Sequence, residues 1–195
     1  MFEENGYHGS RGDYYNRSNS YINEVIDDRE GIPITLSVLY MELARQLELK
    51  MVGIGLPGHF VVAQLRDKKE PKLIDVYDGA KILTHKDAEL IVRNIASIPL
   101  QEDHLKAVDN RAIIVRMLRN LIGVSNNNEP PETVLRYLNT LILLQPDSPQ
   151  ERLNRALMHM RLKKNEKAKE DVRWLLDNNP PGLNRERLLE LFQRL

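Results

Sequence analysis

Two polar side chains stand out because everything around them is apolar. His59 opens the run 60–63 and Asp75 sits inside 73–76, segments rich in the β-branched and aromatic residues that form strands. On neighbouring strands, the carboxylate would fix the tautomer and orientation of the imidazole. Such a pair can serve as general acid or base, contact an anion or a metal, or stand as a buried polar pair, and spacing alone favours the last. The chain has no Cys, which excludes thiolate nucleophiles, disulfides and thiolate zinc sites. Among hydroxyls, Ser37 lies four residues after Pro33, on the same helical face but about 6 Å along the axis. Its hydroxyl would ordinarily bond the carbonyl four residues back, which leaves it a weak nucleophile candidate. Thr35, roughly 200° around the helix from Pro33, is weaker still.

The elements that must hold these residues lie within 29–78. Between 32 and 44 only Thr35, Ser37 and Glu42 hydrogen-bond strongly apart from the Tyr40 hydroxyl, so a helix there is apolar on nearly every side and must be buried. Gly31 can supply unusual backbone angles before it, and Pro33 suits a first turn, where an amide has no intrahelical partner. Strands are expected over 51–55, 60–65 and 72–76, with a charged hairpin tip at 68–71. Gly53, Gly55, Pro57 and Gly58 allow close approach and sharp reversal just before His59. A buried helix feeding a small antiparallel sheet is an α+β core.

Outside this stretch the signals are plainer. Residues 1–20 read as a loop, and Asn19 or Ser20 can cap a short helix over 21–28. His8, Arg11, Tyr14 and Tyr15 either line a cleft or, as buried aromatic area favours, pack over a sheet edge. Asp78-Gly79 is a turn, Thr84 can cap a helix over 86–95, and 99–108 reads as a connector. His85 and His104 have no companions at metal-ligand spacing and are expected on the surface. Helical periods then cover 111–124, 132–144, 149–162, 166–177 and 185–195. Pro146 and Pro180 stand 34 residues apart, the tetratricopeptide period, with small Ala156 and Ala168 where two helices would meet. Met158, His159 and Met160 are expected to fill core or groove. The chain is therefore expected as two domains, 1–105 and 106–195, with the helices packed on the first domain as one body because so few repeats expose their stacking face.

The 28 basic and 28 acidic residues argue against a general electrostatic grip on nucleic acid or anionic lipid. No apolar run reaches membrane-spanning length and the N-terminus has no apolar signal core, so no membrane insertion and a cytoplasmic location are expected. No cofactor and no metal are expected.

The strings NSYINEV, REGIPITLSVLY, GLPGHFVV and LIDVYDG, in that order, resemble the SirB-type bacterial proteins, in which a transglutaminase-like domain of the papain type precedes tetratricopeptide repeats. In the transglutaminase-like division a Gly-x-Cys opens a buried helix, a His starts the next strand pair and an Asp follows on the neighbouring strand. Gly31, His59 and Asp75 fall into those places, Arg45 matches the Leu-x-x-x-Leu-x-Arg-type segment that ends the family's buried helix, and Pro33 falls where the nucleophilic Cys stands. The resemblance implies a degenerate cleft of Arg29, Gly31, Pro33, Gly58, His59 and Asp75, with His59 and Asp75 a remnant pair, and further helices before the segment that begins at Met1. It points to a non-enzymatic, regulatory scaffold that holds a protein or peptide partner through the cleft and the tetratricopeptide groove. Two alternatives stand: a hydrolase or acyl transferase using His59 and Asp75 with an unassigned nucleophile, and a sensor of small anions or peptide carboxylates at the helix N-terminus, assisted by Arg29 or His59.

Overall fold

The helix carrying Pro33 starts where a proline is tolerated and a threonine closes the gap. In this computed structural model, which describes residues 1–67, 69–125 and 129–195, helix α2 runs Pro33–Gln46. The hairpin tip expected at Lys68 and the middle of the 125–131 connector lie outside the described residues. Thr35 Oγ1 accepts from the amide of Ile32 at 3.1 Å and lies 2.8 Å from the carbonyl of Asn19, to which it can donate. Before it come β1 (His8–Gly9), α1 (Ile22–Asp28) and β2 (Glu30–Gly31), with β1 and β2 pairing in parallel. Asn19 does not cap α1: Tyr21 stands at the cap, and the Asn19 amide instead donates to the carbonyls of Asp13 at 2.8 Å and Tyr14 at 3.4 Å. That side chain faces the preceding loop, which needs donors for its inward carbonyls.

The remaining strands, β3 (Met51–Ile54), β4 (Val61–Arg66), β5 (Lys69–Asp75), β6 (Lys81–Leu83) and β7 (Ala107–Val108), form one antiparallel sheet of order β6-β5-β4-β3-β7. Val62 pairs with Ile74 and, with Val76, packs on Leu36 of α2 and Val25 of α1. Val61 and Ala63 point the other way, onto Ala88 and Val92 of α3 (His85–Ala96). Helices cover both faces of the central strand, so β4 opens as a continuous apolar run rather than an alternating one. α2 itself is buried only at residues 33–37 and at Ala44; its second half borders a groove of about 730 Å³ that includes Met41, Met51 and Met117.

By its internal contacts the chain divides into Met1–Asn120 and Leu121–Leu195, with α4 (Asn110–Val124) crossing the division. Residues 106–120, expected with the helices, belong to the first unit because β7 pairs with Gly53 and Ile54 and Ile113 packs against Phe60, Ile32 and Ile34. The second unit holds α5 (Pro131–Leu144), α6 (Pro149–Arg161), α7 (Asn165–Asn178) and α8 (Arg185–Arg194). Ala156 and Ala168 are fully buried, and Val172, Leu175 and Leu188 complete the core. Buried Asp171 accepts two bonds from Arg155, at 2.7 and 2.8 Å, and Arg155 reaches Asn139 of α5 at 3.1 Å. His159 is buried with Nδ1 unpartnered, and burial lowers its pKa.

Gly58 has φ +75° and its added Cβ would collide with Ile95 of α3. Gly58→Ala should therefore cost about 1–3 kcal/mol, from the left-handed backbone and the overlap together. Urea unfolding of the variant checks this; an unchanged midpoint would mean that the turn accommodates a side chain.

Candidate functional site

The turn 55–58 delivers His59 to the head of β4, and two groups hold that turn. The amide of His59 donates to the carbonyl of Leu56 at 3.1 Å. From α4, Arg116 donates through Nη1 to the same carbonyl at 3.1 Å and through Nη2 to the carbonyl of His59 at 2.7 Å, while its guanidinium lies 5.5 Å over the Phe60 ring. Burial lowers the Arg116 pKa, with Tyr14 opposing.

His59 and Asp75 do meet. Nε2–H of His59 donates to Oδ2 of Asp75 at 2.9 Å, with side chains only 8% and 7% exposed. The other carboxylate oxygen accepts from the amides of Tyr77 at 3.1 Å and Asp78 at 3.3 Å. Three donors on one carboxylate keep the ring in a single orientation. Nδ1 is then the nitrogen left over, an acceptor with no hydrogen-bond partner among the described residues.

Aromatic rings extend the site. Tyr77 meets the His59 ring edge to face at 6.0 Å and donates its hydroxyl to the carbonyl of Ser10. Tyr14 meets Tyr77 at 6.2 Å, and Tyr15 meets Tyr14 at 5.3 Å. Burial raises the pKa of both Tyr14 and Tyr77; for Tyr14 the neighbouring Tyr77 adds to this and the Arg116 charge opposes it. An added Cβ on Gly9 would stand 2.6 Å from the Tyr77 ring, so only glycine lets β1 pass so close. Hollows of about 380 and 510 Å³ touch Tyr77; the first reaches Asp75, the second His8 and Gly12. Arg11, paired with Asp78 at 2.9 Å, borders both.

Other expected residues sit differently. Gly31 lies in extended β2 with no left-handed angle; it is glycine because a Cβ would stand 2.9 Å from Thr35 Oγ1 and 3.0 Å from Val25. The left-handed residue before α2 is Arg29, φ 58°, which is exposed and points toward Gly6. Pro33 is buried at the first position of α2. Ser37 is fully buried, and its Oγ bonds neither the carbonyl four residues back nor His59. His85 is exposed, whereas His104 is half-buried and accepts from the Gln101 amide at 3.1 Å. Tyr77 and Arg116 went unread in the sequence. Tyr77 stood two residues from Asp75, but Arg116, 57 residues from His59, carried no local signal.

A family model described as the transglutaminase-like superfamily matches residues 1–119, nearly the whole of the first compact unit. The chain belongs to the transglutaminase-like superfamily. A UPF0162 protein of Xylella fastidiosa (strain 9a5c) is 30% identical over 189 residues, covering 94% of this chain and 67% of that relative. Protein SirB1 of Salmonella typhimurium is 23% identical over 181 residues, covering 92% and 67%. F-box only protein 21 of Homo sapiens is 26% identical over 172 residues, covering 83% and 27%. No solved structure matches the chain significantly. The resemblance to SirB-type proteins is thus borne out, as is the α+β core followed by helices. Among the described residues no helix is long and apolar enough to cross a membrane.

Asp75→Asn should reverse the tautomer of this transglutaminase-like histidine. An asparagine keeps one acceptor for the Tyr77 and Asp78 amides and turns an NH₂ toward Nε2, which must then become the acceptor. Long-range ¹H–¹⁵N spectra should show the ring proton on Nε2 in the parent and on Nδ1 in the variant, with stability lower by about 1–3 kcal/mol. An unchanged tautomer would remove Asp75 from its orienting role.

Proposed function

We propose that this protein is a non-enzymatic transglutaminase-like scaffold with a regulatory role, binding a protein or peptide partner through its cleft and its C-terminal helices. The observation that carries the reading is Pro33 at the first position of α2, where the resemblance puts the family's Cys, together with an intact His59–Asp75 pair in the same unit. A helix N-terminus stabilises a thiolate, but a proline ring has no ionisable atom to be stabilised. Neither nearby hydroxyl supplies a substitute: Thr35 Oγ1 is engaged with Asn19 and Ile32, and Ser37 makes no bond to His59. We read the C-terminal helices as tetratricopeptide-like, supported by the 34-residue interval from Pro146 to Pro180 and the full burial of Ala156 and Ala168. The regulatory role and the cytoplasmic location expected from the sequence are part of this reading.

Purified chain incubated with an activated ester, or with a glutamine-containing peptide and hydroxylamine, should yield no covalent acyl adduct by intact mass spectrometry. His59→Ala should leave the hydrolytic background unchanged. An adduct on any side chain of the cleft, or turnover lost with His59, overturns the scaffold reading. In the positive sense, co-purification from native lysate should recover less partner with the His59→Ala/Asp75→Ala double variant than with the parent.

Pro33→Cys offers a separate check on the geometry. Beside a helix N-terminus and an imidazole, its thiol should be alkylated by iodoacetamide at neutral pH faster than a free cysteine, and His59→Ala should slow it. A rate equal to that of a free thiol would mean that position 33 and His59 do not share a cleft.

A further inference from the structure

Arg116 is a half-buried cation whose partners are all neutral. Its bonds go to the carbonyls of Leu56 and His59, and its face covers Phe60; among the described residues no carboxylate pairs with it. The acid of the cleft, Asp75, already accepts from His59, Tyr77 and Asp78. A guanidinium carries five N–H donors, and two bonds to carbonyls leave several of them free. A charge withdrawn from water is ordinarily balanced by an opposite one.

Two further polar groups in the same cluster also lack partners. The Tyr14 hydroxyl bonds nothing among the described residues, although Tyr14 itself is 38% exposed and so reachable. His59 Nδ1 likewise has no hydrogen-bond partner among the described residues, and with the ring proton on Nε2 toward Asp75 it is an acceptor. The groups belong to one cluster: Tyr77 packs against both Tyr14 and His59, at 6.2 and 6.0 Å, and Arg116 bonds the His59 carbonyl. Asn19 ties the Tyr14 backbone to the loop ahead of α2, so the hydroxyl is carried by anchored chain.

We propose that the cleft takes a carboxylate, seated between the Arg116 guanidinium and the Tyr14 hydroxyl beside the His59 ring, supplied by the C-terminus or an acidic side chain of a bound peptide. This rests on the scaffold reading and names the chemistry of its ligand. The planar guanidinium fork suits a carboxylate better than it suits a carbonyl, since two parallel N–H···O bonds carry both charge and direction. Arg29 is exposed, with its guanidinium near Gly6, and in this proposal Arg116 supplies the cation.

The test titrates the isotope-labelled full chain with sodium acetate, acetyl-Ala-Ala-Ala with a free C-terminus, its C-terminal amide, and acetyl-Ala-Glu-Ala amide, at constant ionic strength. Saturable shifts of the His59 ring and the Arg116 Nε–H are expected with the carboxylates and none with the tri-alanine amide. Comparing the free-terminus and glutamate peptides identifies the source. Tyr14→Phe should weaken binding several-fold, Arg116→Lys should keep part of it, and Arg116→Met should abolish it. Should Arg116→Met fail to fold, Tyr14→Phe decides, because its hydroxyl holds nothing inside the chain. No saturable shift with any carboxylate, equal shifts with the amide, or affinity unchanged in Tyr14→Phe overturns the proposal. Carboxylate failure without an acyl adduct removes this inference and leaves the scaffold reading; an adduct together with carboxylate binding does the reverse.

Discussion

A carboxylate only 7% exposed sets the terms for the first unit. Burying an ionised acid costs several kcal/mol unless donors surround it, and Asp75 has three, one imidazole and two backbone amides. Each donor fixes a different piece of chain. The imidazole requires β4 to begin at the level where β5 ends, and the register Val62↔Ile74 provides this. The two amides require the chain to turn immediately after Asp75, which Gly79 and Ala80 allow with positive φ. The acid therefore specifies geometry as much as chemistry, and its neighbours are arranged to keep water out.

Water is excluded by rings and by glycines that let the rings approach. Tyr77 lies against His59 and over Gly9, and Phe60 lies against Gly53, where a Cβ would stand 2.6 Å away. A methyl group at Gly9 would displace Tyr77 from the His59 ring, and one at Gly53 would displace Phe60 from its cluster with Ile32, Ile34 and Ile113, so each would lose apolar contact. Arg116 works from outside the turn, replacing by side-chain donors the partners that the carbonyls of Leu56 and His59 lack within the strand ladder.

How much of this was legible in the sequence depends on range. Helices of ten residues or more carry their period in the chain, and α2 to α8 fall close to where the apolar spacing puts them. β1, β2 and β7 have two residues each and β6 three, too few for any alternation, and β7 hides inside what reads as a connector. His59 and Asp75 were legible because polar residues in apolar strands stand out. Gly31 is glycine for a reason other than the backbone angles its sequence position suggests: crowding from Thr35 and Val25 requires it, while the left-handed turn before α2 falls to Arg29. Arg116 was beyond reach, since its partners are carbonyls 57 and 60 residues away and backbone acceptors leave no mark on composition.

Proline at position 33 is compatible with everything the fold asks of that place. The first residue of a helix needs no amide partner and favours a fixed φ, so a proline ring there leaves α2 undisturbed. Proline at this place thus asks for no compensating rearrangement, and burial together with the three donors on Asp75 accounts for the geometry of the imidazole and its carboxylate. Retention of that geometry is consequently not a sign of turnover. What distinguishes a ligand-binding cleft from a closed polar core is unpartnered donors, and here these are the Tyr14 hydroxyl and the free N–H groups of Arg116. A core polar cluster with no ligand to meet would be expected to close on itself, as Arg155, Asp171 and Asn139 do in the second unit.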